Sequence, residues 1–265
     1  IQDMAQRFTA DNITPHAGKW DEEKIFPVDT IKKSAELGFG AIYVSEEGGG
    51  IGLGRLEAAL IMEAMAYGCP ATSAYISIHN MASWMIDRFG GEGVKEKYLP
   101  QLVTMEKLAS YCLTEPGSGS DAAGLKTQAV LDGDHYVLNG TKNWITNGNS
   151  ADIYLVIAQT YPEKGHKGIN ALIVEKGMEG FEIGPKEQKL GIRGSDTHSL
   201  NFNDVKVPKE NRIGADGFGF KFAMKTLSGG RIGIAAQALG IAAGAYELSL
   251  KYSKERKAFG TEIAN

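Results

Sequence analysis

The chain has 265 residues, 43% of them hydrophobic and 23% charged, the balance of an ordinary globular protein with room for one large domain or two to three small ones. A net charge of −4 leaves no basic footprint of the kind that nucleic-acid binding requires. The two cysteines, Cys69 and Cys112, lack metal-site spacing and read as small buried hydrophobes in a reducing compartment.

The first hundred or so residues read as helical. Asp29 is placed to cap a helix running through Leu37, stopped by Gly38 and Gly40. After the glycine-rich turn Gly48 to Gly54, Leu56, Leu60, Ile61 and Met65 recur at helical spacing until Gly68 and Pro70 end the run. Ser73 to Phe89 is a further helical stretch. Glu92 to Leu99 is a short amphipathic one, ending before Pro100.

The character changes near Ala109. From there to Val207 short alternating runs are separated by Gly and Asn turns, with Asp132-Gly133 and Asn139-Gly140 as hairpin signals. Leu125, Thr127, Ala129 and Leu131 share one face of a strand, and Ile153 to Ile157 and Ile169 to Val174 are apolar enough for buried strands. Strands at this spacing predict a small barrel or two packed sheets. Helical character returns at Phe218, and Arg231 to Lys254 reads as one long helix rich in small residues. Its uncharged part, Ile232 to Tyr246, is shorter than the about 18–20 apolar residues that span a bilayer, so no membrane span is expected. A lone helix cannot bury its own apolar stripe, so further helical sequence is expected beyond Asn265. Because the chain opens on Ile1, any targeting segment is expected to be absent or removed.

The most informative segment is Tyr111-Cys112-Leu113-Thr114-Glu115-Pro116-Gly117-Ser118-Gly119-Ser120-Asp121, a strand running into a glycine-rich loop. Gly117 to Ala122 fits the G-x-G-x-x-G/A pattern, but that pattern needs a helix at the loop inside a βαβ unit. Here strand-like residues and a hairpin follow, which excludes the dinucleotide-fold reading. Downstream, Lys142-Asn143-Trp144-Ile145-Thr146-Asn147 carries one large aromatic among polar residues. A loop and a Trp presented by neighbouring strands can hold a flat, polar, phosphate-bearing cofactor. Taken alone, the glycines fit an ordinary turn and a lone strand Trp is ordinarily core.

Read together, YCLTEPGSGSD, NGTKNWITN and ERKAFG resemble, in order and spacing, the acyl-CoA dehydrogenase family of flavoenzymes, and the resemblance covers essentially the whole chain. It implies an α+β multidomain protein: an N-terminal helical domain over 1–108, a middle β-barrel or β-sandwich domain over 109–215, and the opening of a C-terminal helical bundle over 216–265. It implies FAD, with Tyr111, Leu113 and Thr114 along the flavin ring, Gly119 and Ser120 near the pyrophosphate and CoA chain, and Trp144, Ile145 and Thr146 against the flavin. Ser120, Ser195, Ser228 and Arg231 fall on the substrate side, and Arg256 and Phe259 match residues that reach a neighbouring subunit's FAD. For Ser195 a solvated connection, and for Arg231 a solvent-facing helix end, remain open.

The resemblance further implies α,β-dehydrogenation of an acyl-CoA, electrons passing to an electron-transferring flavoprotein, a homo-oligomer built as a dimer of dimers, and a bacterial cytoplasm or mitochondrial matrix. No metal and no nucleic-acid partner is implied. The family's general base stands either beside the Arg231 position or late in the chain. Position 230 is Gly, so no catalytic residue is assigned and the base Glu is expected beyond Asn265. Ser110 to Ala123 and Asn80 to Asp87 look like isobutyryl-type members, and Leu190 to Ser195 like butyryl-type ones, which points to a short or short-branched acyl group. Acyl-CoA oxidase, or a non-catalytic flavin and acyl-CoA binding protein, are the alternatives.

Overall fold

A computed structural model describes residues 1–265. Six helices come first: α1 (Gln2–Asn12), α2 (Thr14–Glu22), α3 (Val28–Lys33), α4 (Arg55–Gly68), α5 (Pro70–Phe89) and α6 (Glu92–Val103). Seven strands follow: β1 (Ala109–Cys112), β2 (Gln128–Asp132), β3 (His135–Thr146), β4 (Ile153–Gln159), β5 (Ile169–Glu175), β6 (Phe181–Lys186) and β7 (Thr197–Pro208). The long helix α7 (Gly219–Glu255) and a two-stranded turn, β8 (Lys257–Ala258) with β9 (Thr261–Glu262), complete the order. The expected α+β class holds.

The strands form one seven-stranded sheet, where a barrel or two packed sheets was expected. Its order is β1-β4-β2-β3-β7-β6, with β5 on the free edge of β4. β1 runs parallel to β4, pairing Ala109 with Ile153 and Cys112 with Val156. β5 lies antiparallel along it. The sheet curls, bringing Ala129, Tyr136, Leu138, Tyr154, Leu172 and Val205 into one interior cluster. The opposite faces of β4 and β5 (Ile153, Leu155, Ile157, Ala171, Ile173) join Met81, Met85, Leu99 and Phe222 in a second cluster at the seam with the helices. Both strands are therefore buried on both faces, which is why they read as unbroken apolar runs rather than alternating ones.

Four local expectations are corrected. Asn139-Gly140 is not a turn: β3 runs straight through it, with a register shift between Leu138 and Gly140. Gly140 sits at φ +144°, and a Cβ there would meet the Thr127 backbone at 2.8 Å, so the glycine serves a close backbone approach; the extra residue of the register shift lies on β7, between Phe202 and Val205. Pro100 does not end α6, which continues to Val103; Pro100 and Glu96, whose carbonyl loses its usual helical donor to the ring, are both exposed residues. Asp29 lies in the first turn of α3 without a capping hydrogen bond, and the helix ends at Lys33 before a 3-10 turn, Ser34–Leu37. Strand β2 begins at Gln128 rather than Leu125, and Leu131 is 38% exposed.

α7 is longer than expected, 37 residues without a break at Gly229-Gly230. Gly240 lies against the Glu63 carbonyl of α4, and a Cβ at Gly244 would sit 2.7 Å from the Tyr67 carbonyl; small residues here permit backbone-close helix packing. By length and composition α7 is apolar enough to cross a membrane, but here it packs along α4 and α5. No residue after Gly244 is buried.

His79 on α5 ties the helices to the sheet. Its Nδ1 accepts from the Ala109 N–H at 3.1 Å and stands 3.2 Å from the Tyr75 hydroxyl, and its Nε2 lies 2.9 Å from the Leu102 carbonyl. The ring is neutral with the proton on Nε2. Burial pushes the imidazole down to about 4. The unfolded chain takes up a proton near pH 6.5 that the folded chain refuses, so stability is present above that pH and declines as pH falls toward 4. Between pH 7 and 4.5 His79 should remove about 2.5 kcal/mol of stability. Urea unfolding at the two pH values should show that loss, and His79→Gln should flatten the slope.

Candidate functional site

The site grows from the irregular end of β3. Register with β7 is kept from Gly140 to Lys142 and resumes at Ile145, so Asn143 and Trp144 are left out of the ladder. The Asn143 N–H donates instead to the Thr114 carbonyl at 2.8 Å. Trp144 takes φ +58°, a left-handed conformation costly for a residue with a Cβ. The bulge turns its indole outward, 54% exposed, which excludes the core reading of this Trp. Ile145 points the other way, into the sheet interior, at 2% exposure. One residue further, Ser110 Oγ donates to the Thr146 carbonyl at 2.6 Å, joining this end of β3 to β1.

Behind the bulge is a buried ion pair. Lys142 Nζ, on the inward phase of β3 with Tyr136 and Leu138, donates to Glu115 Oε1 at 2.7 Å and to the Leu113 carbonyl at 2.9 Å. Glu115 also accepts the backbone N–H groups of Lys126 at 2.6 Å and Thr127 at 3.0 Å. One carboxylate thus closes both ends of the glycine-rich loop. Burial alone would push the Glu115 carboxyl up, but the Lys142 ammonium and the N–H donors outweigh it and hold it below the usual range. Burial pulls the Lys142 ammonium down, with Glu115 opposing. Inside the loop, Glu115 and Ser118 exchange backbone hydrogen bonds, and Ser118 Oγ donates to the Asp121 carbonyl. Only a three-residue 3-10 turn, Ala122–Gly124, follows, so no helix N-terminus meets the loop. Cβ atoms at Gly117 and Gly119 would meet nothing within 4 Å.

A second polar cluster braces the turn after Thr146. Asp196 accepts the Ser150 N–H and hydroxyl at 2.8 and 2.7 Å and pairs with His198 Nε2 at 2.9 Å, while His198 Nδ1 meets the Gly184 carbonyl at 2.7 Å. Burial would raise the Asp196 carboxyl, but Ser150 and His198 keep it below its ordinary range. The Leu190–Ser195 segment docks on α2 through the Arg193 N–H and Asp21.

The structure brings Thr114, Trp144 and Thr146 to one partly open surface, with Leu113 and Ile145 behind. Both Thr hydroxyls are half-buried and make no hydrogen bond within the chain. Gly119 and Ser120 are exposed on the neighbouring loop. Tyr111 is 8% exposed, packed at the seam, and its hydroxyl is buried without a partner. An exposed indole flanked by unengaged hydroxyls suits a planar ring with hydrogen-bonding edges, the chemistry a flavin offers. Other expected residues lie apart. The Ser195 side chain is 1% exposed, 3.4 Å from the Thr197 hydroxyl, so it faces neighbours rather than a channel. Ser228, exposed on α7, donates back to its own helix at the Met224 carbonyl. Arg231 is exposed beside Gly230, where a Cβ would come within 2.9 Å of Met81 Sδ. Arg256 and Phe259 stand in the open past α7, Phe259 fully exposed.

Comparison with known proteins matches three family models in order: the acyl-CoA dehydrogenase N-terminal domain over residues 1–106, the middle domain over 110–205 and the C-terminal domain over 217–265. The chain belongs to the acyl-CoA dehydrogenase family. Within it, the chain is 51% identical to the mitochondrial isobutyryl-CoA dehydrogenase of Bos taurus, covering 100% of this chain and 64% of that protein. It is 47% identical to the short-chain specific acyl-CoA dehydrogenase of Clostridium acetobutylicum, covering 99% and 70%. Among solved structures, butyryl-CoA dehydrogenase from Megasphaera elsdenii superposes with a TM-score of 0.94 at 42% identity, covering 100% of this chain and 70% of that one. A structure described as the electron transferring flavoprotein of Acidaminococcus fermentans gives 0.95 at 44%, with the same coverage. PigA with FAD and proline gives 0.93 at 33%, covering 99% and 70%.

The bulge makes a testable demand on the backbone. In an ordinary strand Gly is less stable than Ala, but at a left-handed residue the order reverses. Trp144→Gly should therefore be more stable than Trp144→Ala by about 1 kcal/mol, read as the difference in urea unfolding of the ligand-free proteins.

Proposed function

We propose that the protein carrying this chain is an FAD-dependent dehydrogenase that converts a short or short-branched acyl-CoA thioester to its 2-enoyl-CoA and passes the electrons to an electron-transferring flavoprotein. The observation that carries this reading is the outward Trp144 indole beside the unengaged Thr114 and Thr146 hydroxyls, at a strained bulge. Support comes from the isobutyryl, short-chain and butyryl specificities named for the relatives, and from the FAD named for PigA. The electron-transferring flavoprotein named for the Acidaminococcus structure supports the choice of partner.

When bound, FAD supplies the acceptor for the hydride leaving the substrate β-carbon. Trp144 would cover one part of the ring, with the Ile145 backbone beside it, and Thr114 and Thr146 would donate to its polar edges, where charge accumulates on reduction. Tyr111 and Leu113 would back the ring from the seam. Gly119 and Ser120 would border the pyrophosphate and the CoA chain, with Ser228 and Arg231 toward the substrate; the buried Ser195 would act there only by backing the loop that carries it. Gly230 offers no carboxylate, so the α-proton is assigned to a Glu beyond Asn265.

Arg256 and Phe259 are assigned to the cofactor of a second copy, where a guanidinium would hold a pyrophosphate by forked donation. Such sharing requires a homo-oligomer, which we assign as a dimer of dimers. The domains are assigned as 1–108, 109–215 and 216–265, and the compartment as a bacterial cytoplasm or mitochondrial matrix.

The test is anaerobic addition of butyryl-CoA and isobutyryl-CoA to the purified full-length protein. A yellow protein that bleaches supports the reading, and rapid recolouring in air would move it to an oxidase. A yellow protein that never bleaches would leave a binding protein, and a colourless one that FAD cannot reconstitute would refute the flavin assignment. Arg256→Ala should weaken FAD retention about tenfold, the scale of one charge-assisted contact, measured by equilibrium dialysis.

A further inference from the structure

We infer that the buried Lys142–Glu115 pair is a positioning device for the cofactor face, setting the Thr114 hydroxyl against the Trp144 indole without itself touching ligand. The inference rests on the flavin reading above and extends it to two residues that reading does not use.

Lys142 has no exposed side-chain surface and Glu115 is 7% exposed. A buried ion pair is poor value for stability, because desolvation offsets the attraction, and apolar replacements often do as well. Its contribution lies in geometry. Lys142 contacts the Leu113 carbonyl and the Glu115 carboxylate, the residues on either side of Thr114, and the adjacent Asn143 N–H holds the Thr114 carbonyl. Three consecutive residues at the exit of β1 are therefore pinned by two consecutive residues of β3, immediately before Trp144. Two of the three ammonium protons are committed, each to a different part of the chain. Glu115 then fixes the far end of the loop through the Lys126 and Thr127 N–H groups. Thr114 has no other tether: its hydroxyl is unengaged, and the β1–β4 pairing stops at Cys112. The offset between its hydroxyl and the indole is thus set by Lys142 and its neighbour Asn143.

The experiment compares the full-length wild type with Lys142→Met, Glu115→Gln and the double variant. FAD dissociation constant, visible circular dichroism of the bound flavin and ligand-free melting are read for each. Removing both charges together avoids a stranded buried charge, but the Gln amide can accept only one of the two backbone N–H groups, so the double variant should fold and melt below wild type. It should still bind FAD about tenfold more weakly, the scale of one lost charge-assisted hydrogen bond, with altered flavin dichroism, because Met cannot donate to the Leu113 carbonyl.

Wild-type FAD affinity and dichroism in a folded double variant would overturn the positioning role and leave the flavin reading intact. A wild type that takes up no FAD would overturn both. Should the double variant fail to fold, the singles decide. Glu115→Gln keeps the Lys142–Leu113 bond and should bind FAD more tightly than Lys142→Met, and the reverse order refutes the proposal.

Discussion

The fold depends on two strands that have no solvent side. β4 and β5 place Ile153, Leu155, Ile157, Ala171 and Ile173 against the helices and Tyr154, Val156, Leu172 and Val174 into the curled sheet, all at 0–1% exposure. Each such large aliphatic side chain contributes about 2 kcal/mol on burial. This two-sided commitment welds the helical layer to the sheet: neither the seam nor the sheet interior can be loosened without exposing the other. Phe89 and Phe222, stacked at 4.1 Å, extend the weld to α7. His79 adds a polar rivet on the same seam, linking α5, the end of α6 and the first residue of β1.

On this rigid base the irregular features gather in one place. The β3 ladder is regular where it only builds sheet and departs from regularity beside Thr114. A left-handed Trp, a second left-handed residue at Asn147 (φ +61°) and the lysine of a buried ion pair all fall within six residues of chain. Each costs free energy that the seam supplies in excess. Asp196, His198 and Ser150 brace the turn beyond Thr146, so the bulge is held from both ends.

Much of this was legible. The split into helices, strands and a long small-residue helix follows from periodicity, and the unbroken apolar runs marked the two-sided strands. The three motifs carried the family, and the absence of a helix after the glycine loop excluded a dinucleotide fold. What misled was the dual use of local signals. Asn139-Gly140 is chemically a turn pair, yet here the glycine lets β3 pass close against Thr127. Pro100 breaks helices where its lost hydrogen bond is buried, and here it is exposed. Gly229-Gly230 would weaken an isolated helix, but Arg55 and Met81 pack against it. The Lys142–Glu115 pair was not read from the sequence, although the phase of Lys142 with Tyr136 and Leu138 was a signal for it. Which of the many acids answered it was not visible, since Glu115 lies 27 residues away. The exposure of Trp144 depended on a backbone angle that no residue pattern announces.

Gly117 and Gly119 carry a last consequence. Neither adopts a left-handed angle, and a side chain at either would meet open space. Folding therefore exerts no demand for glycine at these two positions. Any such demand must come from outside the chain, from a body that presses against the loop backbone when it arrives. Tolerance at the two sites is accordingly decoupled: substitutions that leave an empty protein indifferent would be felt only by an occupied one. Scanning them for folding and, separately, for occupancy would outline the shape of the visitor from its imprint on permitted side-chain size.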